Sequence, residues 1–363
     1  MLAKAVSSKG FGVVCSTSRR ALSSSAGSLL PVVSLGGSNE EAAAQLRSAA
    51  GKFGFFYVAN HGVSAETQAK AWSELKGLFA DEERKNRISE EFTKSFRGYV
   101  GFFKQGNYAI DETDLRKDSP NAQPEEEKED AMDNKEVFHF GTEIPATHKF
   151  YNDLLYCENV WPEDKKGAFK EALSTYYSQV EGVSNRLLQI SALALELEED
   201  FFLKQASKTP MSSMNCLHYP PLEQRGSQLG IGAHTDFECL TVLNMTGTSD
   251  PCLEILSPID NKWIPVAPRE GCFVVNIGDM LARWSGDTFR STVHRAFNHP
   301  KDHRYSMAFF RGPDFDAMLE PQVGNKTKYT PAVRAGEHML ARISQANPSA
   351  SVYTKLPNID KEP

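Results

Sequence analysis

The sequence of 363 residues contains no run of 18 consecutive apolar residues, which argues against a membrane-spanning helix. It also lacks an excess of basic residues, because 40 lysines and arginines stand against 47 aspartates and glutamates. A net charge of −7 provides no overall basic field for nucleic acid, while a small polar molecule remains open as a substrate. None of the six cysteines forms a C-x-x-C pair, so we expect buried, reduced thiols rather than a disulfide framework.

Acidic residues are absent from the N-terminal segment, where the first one is Glu40. The residues before it are basic and serine-rich, a composition typical of an organelle transit peptide. We therefore interpret residues 1–29 as a transit peptide or a disordered tail. The Arg-Arg-Ala-Leu sequence at 19–22 resembles a mitochondrial processing site and favours a mitochondrial location. Plastid import and a cytoplasmic location are the alternatives.

The first part of the folded chain, residues 30–205, is predicted to be mainly helical. We expect Asn39 to cap a helix that reaches about Ala50, and Ser64 to cap a helix over 65–79. Residues 53–58 read as a short strand between them. Further on, an apolar stripe at spacings of three and four predicts one long helix around 162–197.

A strongly charged stretch interrupts this part at residues 111–136. It carries eleven acidic and four basic residues with few apolar side chains. Such a composition buries little apolar surface, so we predict a mobile, solvated insertion.

From residue 206 onward the pattern changes to short β-rich runs separated by Gly, Pro, Asn and Asp. The predicted strands are 211–219, 230–243, 253–256, 263–266, 272–277, 291–297 and 304–310. This many short strands indicates a sandwich or jelly-roll barrel over 206–315, followed by a C-terminal segment, 316–363. Helices first and strands afterwards predict one α+β unit in which helices back the barrel.

Three residues of this region have the chemistry of a metal site: His234, Asp236 and His294. Side chains at i and i+2 of a strand leave the same face, so His234 and Asp236 can aim at one point. Two imidazoles and one carboxylate on one face of a metal are the facial triad of non-haem iron oxygenases. An isolated H-x-D is a weak signal, because a histidine near a strand is more often a core residue.

A second pair strengthens the interpretation. Arg304 and Ser306 also stand two residues apart on a predicted strand, beginning ten residues after His294. The planar guanidinium matches a carboxylate, and the hydroxyl adds a donor on the same face. A metal triad beside a carboxylate clamp describes a site for a chelating keto acid.

With these motifs in place, the sequence resembles the isopenicillin N synthase-like, 2-oxoglutarate-dependent oxygenases, whose core is a double-stranded β-helix. The resemblance covers nearly the whole chain after the transit-like segment. It is carried, in family order, by Gly54-Phe55-Phe56-Tyr57-Val58-Ala59-Asn60-His61-Gly62-Val63, Arg97-Gly98-Tyr99, Asn159-Val160-Trp161-Pro162, His218-Tyr219-Pro220-Pro221, Gly232-Ala233-His234-Thr235-Asp236, Val274-Val275-Asn276-Ile277-Gly278-Asp279, Ser291-Thr292-Val293-His294-Arg295 and Arg304-Tyr305-Ser306.

The resemblance implies that His234, Asp236 and His294 hold Fe(II). It implies that Arg304 and Ser306 grip the distal carboxylate of 2-oxoglutarate, with Tyr219 as a further contact. Many relatives carry Asn two residues before that tyrosine, whereas this chain has Leu217.

The activity that the resemblance implies is the hydroxylation or desaturation of a small organic substrate, with O2 consumed and succinate and CO2 released. Ascorbate is expected as a reductant that keeps the iron in its reduced state.

Other interpretations stay open at this point. An isopenicillin N synthase-like oxidase would use Arg304 and Ser306 for a substrate carboxylate instead of 2-oxoglutarate. A non-catalytic barrel could hold Zn(II) with the same ligands. We interpret His61 as a structural residue in a turn, and Phe102, Phe103, Tyr108 and Phe237 as a candidate aromatic wall of the substrate pocket. The sequence sets neither the substrate nor the oligomeric state.

Overall fold

The computed structural model describes residues 30–95, 97–102, 133–152, 154–162, 167–223 and 230–346. Several predicted features lie outside these residues: the transit-like segment 1–29, most of the charged stretch 111–136, and Phe103 and Tyr108 of the aromatic wall. Among the helices of the described residues, none has both the length and the apolar character needed to span a membrane.

The helices occur in the order α1 Asn39–Lys52, α2 Ala65–Phe79, α3 Glu82–Ser95, α4 Ala168–Ala194, α5 Phe201–Lys204, α6 Asp279–Trp284 and α7 Ala335–Ala346. The strands are β1 Val32–Ser34, β2 Phe55–Ala59, β3 Gly98–Val100, β4 Glu136–Gly141, β5 Ser213–Tyr219, β6 Ile231–His234, β7 Leu240–Thr246, β8 Leu253–Leu256, β9 Trp263–Val266, β10 Cys272–Ile277, β11 His294–Ala296, β12 Arg304–Arg311, β13 Met318–Leu319 and β14 Val333–Arg334.

Two sheets build the core. The larger one has eight strands in the order β1-β2-β10-β7-β12-β5-β4-β3, and the smaller one has four in the order β6-β11-β8-β9. Side chains from both sheets line one cavity, so the sheets face each other across it. This is the predicted α+β jelly-roll, or double-stranded β-helix, backed by helices. Strands β1 to β4 come from the first part of the chain, so both parts share the larger sheet.

Helix α4 forms the main layer behind the larger sheet. Its apolar stripe, which includes Leu173, Val180 and Leu187, is fully buried, and α1 and α2 pack on the helix. The long helix was predicted to start at Pro162, but it begins at Ala168 after an N-cap at Gly167.

The two predicted N-caps have different outcomes. Ser64 caps α2 as expected, with its hydroxyl accepting from the Thr67 backbone N–H at 3.0 Å. The cap of α1 was placed one residue too late, because Ser38, not Asn39, is the N-cap. Ser38 accepts from the backbone N–H of Glu41 at 3.2 Å, and the Glu41 carboxylate accepts from the backbone N–H of Ser38, which completes a capping box.

The predicted strand 230–243 was wrong as a single element. It is divided into β6 and β7, which belong to different sheets, and residues 235–239 turn between them. The turn has a physical role, because the backbone carbonyl of Asp236 accepts from the backbone N–H of Asp279 at 2.8 Å, at the start of α6. A side chain at Gly278 would place its Cβ 2.2 Å from the Glu238 carbonyl oxygen, so glycine is needed there.

The charged stretch 111–136 was predicted to be solvated throughout, and its described end contradicts this. Asp133, Lys135 and Glu136 are each no more than 3 % exposed. Glu136 opens β4, and its carboxylate accepts from Lys85 Nζ at 3.1 Å and from the Tyr99 hydroxyl at 2.6 Å. Composition alone missed this because buried charges are tolerated where each finds a partner in three dimensions.

Candidate active site

The three predicted metal ligands converge. His234 is the last residue of β6 and His294 the first of β11, and the two face each other in the strand pairing. Asp236 Oδ1 lies 3.6 Å from His234 Nε2 and 3.7 Å from His294 Nε2. One potential ligand atom from each residue lies within 4.8 Å of the others. The prediction was wrong in one detail: Asp236 stands in the turn after β6, not on the strand itself.

Hydrogen bonds orient both imidazoles toward that point. His234 Nδ1 lies 2.8 Å from the Gly232 carbonyl oxygen, and His294 Nδ1 lies 3.1 Å from the Thr292 carbonyl oxygen. A carbonyl can only accept, so in each ring Nδ1 carries the hydrogen and Nε2 offers its lone pair. Burial, together with the neighbouring His294, lowers the pKa of His234 to about 3, which keeps its imidazole neutral.

The carboxylate of Asp236 is held in its ionised form. Its Oδ2 accepts from Asn276 Nδ2 at 2.6 Å and from the Thr241 hydroxyl. Burial opposes ionisation, but the two imidazoles and these hydrogen bonds outweigh it and lower the pKa of Asp236. Two imidazoles and one carboxylate, each fixed by a second hydrogen-bond partner, fit a divalent iron ion.

The predicted carboxylate clamp is also assembled, on the larger sheet. Arg304 on β12 faces Tyr219 on β5, and the guanidinium carbon lies 4.2 Å from the centre of the tyrosine ring. Ser306 follows two residues later, and all three side chains are buried and line the cavity. Burial raises the pKa of Tyr219, although Arg304 opposes the shift, so the phenol is protonated at neutral pH.

One atom of the clamp indicates its ligand. Arg304 Nη1 is buried and has no hydrogen-bond partner among the residues that the structure describes. A buried N–H group without an acceptor costs about 1–3 kcal/mol, and more when it is charged. A carboxylate in the cavity would supply that acceptor, so the clamp fits 2-oxoglutarate. The departure from the family pattern, Leu217, lies opposite Ser306 and adds an apolar wall.

The cavity has a volume of about 300 Å³ and continues beyond the clamp and the triad. Its wall includes Phe237 of the candidate aromatic wall, the nearby Thr241, and Met339 and Ile343 from the C-terminal segment. Phe102 does not line it; its ring lies 6.5 Å from that of His218 instead. His61 lies where a structural residue was predicted, stacked on Phe273 with 3.9 Å between ring centres.

Sequence reasoning missed a polar group of cavity residues: Arg97, Lys135, His139, Asn215 and Glu238. Asn215 could have been found, because it precedes Leu217 and Tyr219 at the two-residue period of one strand face.

The four ionisable members of this group have perturbed pKa values. His139 Nδ1 lies 2.7 Å from Asn215 Oδ1, and burial lowers the pKa of His139 to about 3, so its ring is neutral. Burial and then the nearby Asp236 raise the pKa of Glu238 to about 8, so this carboxyl is protonated at neutral pH.

Comparisons with known proteins agree with this geometry. Residues 210–313 match the 2OG-Fe(II) oxygenase superfamily, and residues 30–164 match the N-terminal region of non-haem dioxygenases in morphine synthesis. The 2-oxoglutarate-dependent dioxygenase tropC of Talaromyces stipitatus is 30 % identical over 315 residues, which cover 83 % of this chain and 87 % of tropC. The homoarginine-6-hydroxylase 2-ODD-233 of Oryza sativa subsp. japonica is 30 % identical over 304 residues, covering 80 % of this chain and 84 % of the relative.

Solved structures show the same fold. A 2OG-Fe(II) oxygenase family protein from Caulobacter crescentus superposes with a TM-score of 0.72 at 28 % identity, covering 88 % of this chain and 99 % of the other. A full-length Neurospora crassa protein, solved in complex with alpha-KG and thymine, superposes with a TM-score of 0.70 at 23 % identity, covering 88 % of this chain and 97 % of the other.

The chain therefore belongs to the 2OG-Fe(II) oxygenase superfamily. Within it, the protein is an Fe(II)- and 2-oxoglutarate-dependent dioxygenase that oxidises a small organic substrate with O2.

Proposed function

We propose that His234, Asp236 and His294 hold the iron, and that Arg304, Ser306 and Tyr219 bind the distal carboxylate of 2-oxoglutarate. The observation that carries this assignment is the buried Arg304 Nη1, which has no hydrogen-bond partner in the described part of the chain, in the same cavity as the converged triad. When bound, iron and 2-oxoglutarate supply the oxidising chemistry, in which O2 is consumed and 2-oxoglutarate yields succinate and CO2.

The chain's own residues position the reactants and exclude water. Arg304 neutralises one carboxylate, and the protonated Tyr219 and the Ser306 hydroxyl can donate to it. Leu217, Leu243 and Ala308 line the same cavity and limit the water in it. Such positioning is the part of catalysis that a protein supplies to a cofactor-dependent reaction.

A cavity of about 300 Å³ suits a small organic molecule beside the cosubstrate. We infer that this molecule, rather than a nucleic acid chain, is hydroxylated or desaturated. The named activities of the relatives, which include a clavatol oxidase and an azadirone synthase, are diverse, so they do not single out one substrate.

The measurement that distinguishes the alternatives is the conversion of 2-oxoglutarate. Purified protein with iron(II) and ascorbate should convert 2-oxoglutarate to succinate and CO2, and a substrate found by screening small molecules should increase CO2 release. Oxygen consumption without succinate would support the oxidase alternative. No iron-dependent oxygen consumption would support a metal-binding barrel without catalysis.

We also propose a mitochondrial location, which is supported by the basic, serine-rich and acid-free composition of residues 1–29. A fluorescent protein fused after residue 40 should accumulate in mitochondria, whereas one fused to a copy with Arg19 and Arg20 replaced by glutamate should not. Uniform cytoplasmic fluorescence of the first fusion would contradict the proposal.

A further inference from the structure

A second cavity, of about 360 Å³, lies between α6, the segment that leads into β11, and α7. It shares no lining residue with the active-site cavity. We refer to it as the outer cavity.

The charged residues that line the outer cavity are unbalanced. Four are cationic (Arg283, Arg290, Lys328 and Arg342) and two are acidic (Asp279 and Asp287), so the cavity has an excess of two positive charges. An excess of charge of one sign around a concavity raises the local concentration of ions of the opposite sign.

Two of the four cationic side chains, Arg283 and Arg290, bind backbone carbonyls rather than carboxylates. Arg283 donates to the backbone carbonyls of Leu319, Tyr329 and Pro331, at 2.9 to 3.1 Å, and Arg290 donates to that of Gly51 at 2.9 Å. Within the described ranges, neither guanidinium lies within 4.0 Å of a carboxylate oxygen. The remaining charge can therefore act on a ligand in the cavity.

Two buried nitrogens of the lining have no acceptor or donor within the part of the chain that the structure describes: Arg342 Nε and His338 Nε2. Arg342 is only 6 % exposed, and its Nη2 donates to the Thr235 hydroxyl at 3.0 Å and lies 3.2 Å from Asp279 Oδ2. Leaving its Nε–H without a partner is unfavourable, so an acceptor from the cavity would be stabilising.

From the charge excess, the two unpartnered nitrogens and the volume, we propose that the outer cavity binds a small oxyanion, either a phosphate or a carboxylate. The site is separate from the 2-oxoglutarate clamp. It is nevertheless linked to the triad, because Arg342 holds Thr235, the residue between His234 and Asp236.

Calorimetric titration of the full chain with inorganic phosphate, and separately with malonate, tests the proposal at constant ionic strength. Saturating 2-oxoglutarate without oxygen occupies the active-site clamp during the titration. One saturable site is expected for at least one anion, and the anion that binds identifies the source as phosphate or carboxylate. No saturable binding of either anion would overturn the proposal.

Variants of opposite charge sharpen the test. Lys328→Ala and Arg290→Ala should each weaken binding about ten-fold, because each removes a charged group that is worth about 1.5 kcal/mol to an anion. Asp287→Asn should strengthen binding by a few-fold and can keep its contact with the Tyr329 hydroxyl. A merely structural role for these residues would not produce changes of opposite sign.

Lys70→Ala is the matched control, since Lys70 forms an exposed ion pair with Glu171, as Lys328 does with Asp287, but does not line the outer cavity. Its affinity should equal that of the unaltered protein. Equal affinities for the control, Lys328→Ala and Asp287→Asn would refute the site, and these exposed positions test it even if Arg290→Ala does not fold.

Discussion

The two ends of the active-site cavity differ in how their residues are organised. The cosubstrate end, where we propose that 2-oxoglutarate binds, contains Tyr219 on β5 and Arg304 and Ser306 on the paired strand β12, with Arg304 opposite Tyr219. The other end, which we propose receives the substrate and call the substrate end, is lined by Arg97, His139, Asn215 and Glu238, which come from four separate parts of the chain. Asn215 stands four residues along β5 from Tyr219, which separates the two ends by about 13 Å.

This difference matches the ligands expected at each end. Every 2-oxoglutarate molecule has the same distal carboxylate, so one arginine with a hydroxyl and a phenol can bind it whatever the substrate is. Substrates vary among the relatives, and a set of residues from separate segments can be changed without disturbing the clamp. We therefore expect changes at one end to leave the other end largely intact.

The largest loss of activity should follow from a change in the metal triad, on which both the cosubstrate and the substrate depend. Replacing Asp236 with alanine removes the one anionic ligand of the triad and should reduce iron-dependent 2-oxoglutarate turnover at least about 100-fold. Succinate formation under saturating iron measures the loss. Turnover near that of the unaltered protein would show that Asp236 is not a ligand.

At the cosubstrate end, Arg304→Ala should weaken 2-oxoglutarate binding by about 100-fold, because two charge-assisted hydrogen bonds of about 1.5 kcal/mol each are lost. Ser306→Ala should weaken it by only about 3-fold to 10-fold, since it removes one neutral donor. Binding is measured by titration without oxygen.

The control for this prediction is Arg269→Ala, because Arg269 packs near Tyr57 and does not line the active-site cavity. Its affinity for 2-oxoglutarate should not change. If Arg304→Ala bound 2-oxoglutarate as tightly as the unaltered protein, the assignment of this end of the cavity to the cosubstrate would be wrong.

At the substrate end, Asn215→Ala should leave 2-oxoglutarate affinity within about two-fold of the original value, because Asn215 is distant from the clamp. It should instead weaken the stimulation of CO2 release by the substrate, since the hydrogen bond between Asn215 and His139, 2.7 Å long, is lost. A large fall in 2-oxoglutarate affinity would mean that the two ends are not independent.

The smallest effect should come from a position remote from both ends. Ser38→Ala removes the N-cap of α1 and should reduce the free energy of unfolding by about 1 kcal/mol. Chemical denaturation measures this change, and 2-oxoglutarate affinity should stay constant. If Ser38→Ala also changed the affinity for 2-oxoglutarate, the losses of affinity in the other variants would reflect lower protein stability rather than lost contacts with the ligand.

Sequence patterns predicted the limits of a strand or helix correctly where those limits depend on neighbouring residues alone. The strands 253–256, 263–266 and 272–277 have the predicted limits, because turn residues bracket each apolar run. The helix over 65–79 also has its predicted limits, set by the Ser64 cap. By contrast, the break between β6 and β7 depends on the hydrogen bond from the Asp279 backbone N–H and on the close approach of Gly278, which no local pattern contains.

Two-residue spacing and chemical type along the chain were enough to predict His234 with Asp236, and Arg304 with Ser306, as candidate site residues. His294 was added as a histidine on a separate predicted strand, and Tyr219 followed only from the family resemblance. The three-dimensional fold was needed to establish that these residues meet in one cavity, that Asp133, Lys135 and Glu136 are buried, and which polar residues line the rest of that cavity. The physical reason is that residues distant in sequence become neighbours through strand pairing, as His139 and Asn215 do in β4 and β5. Partners across such distances decide whether a charge is buried and what it can bind.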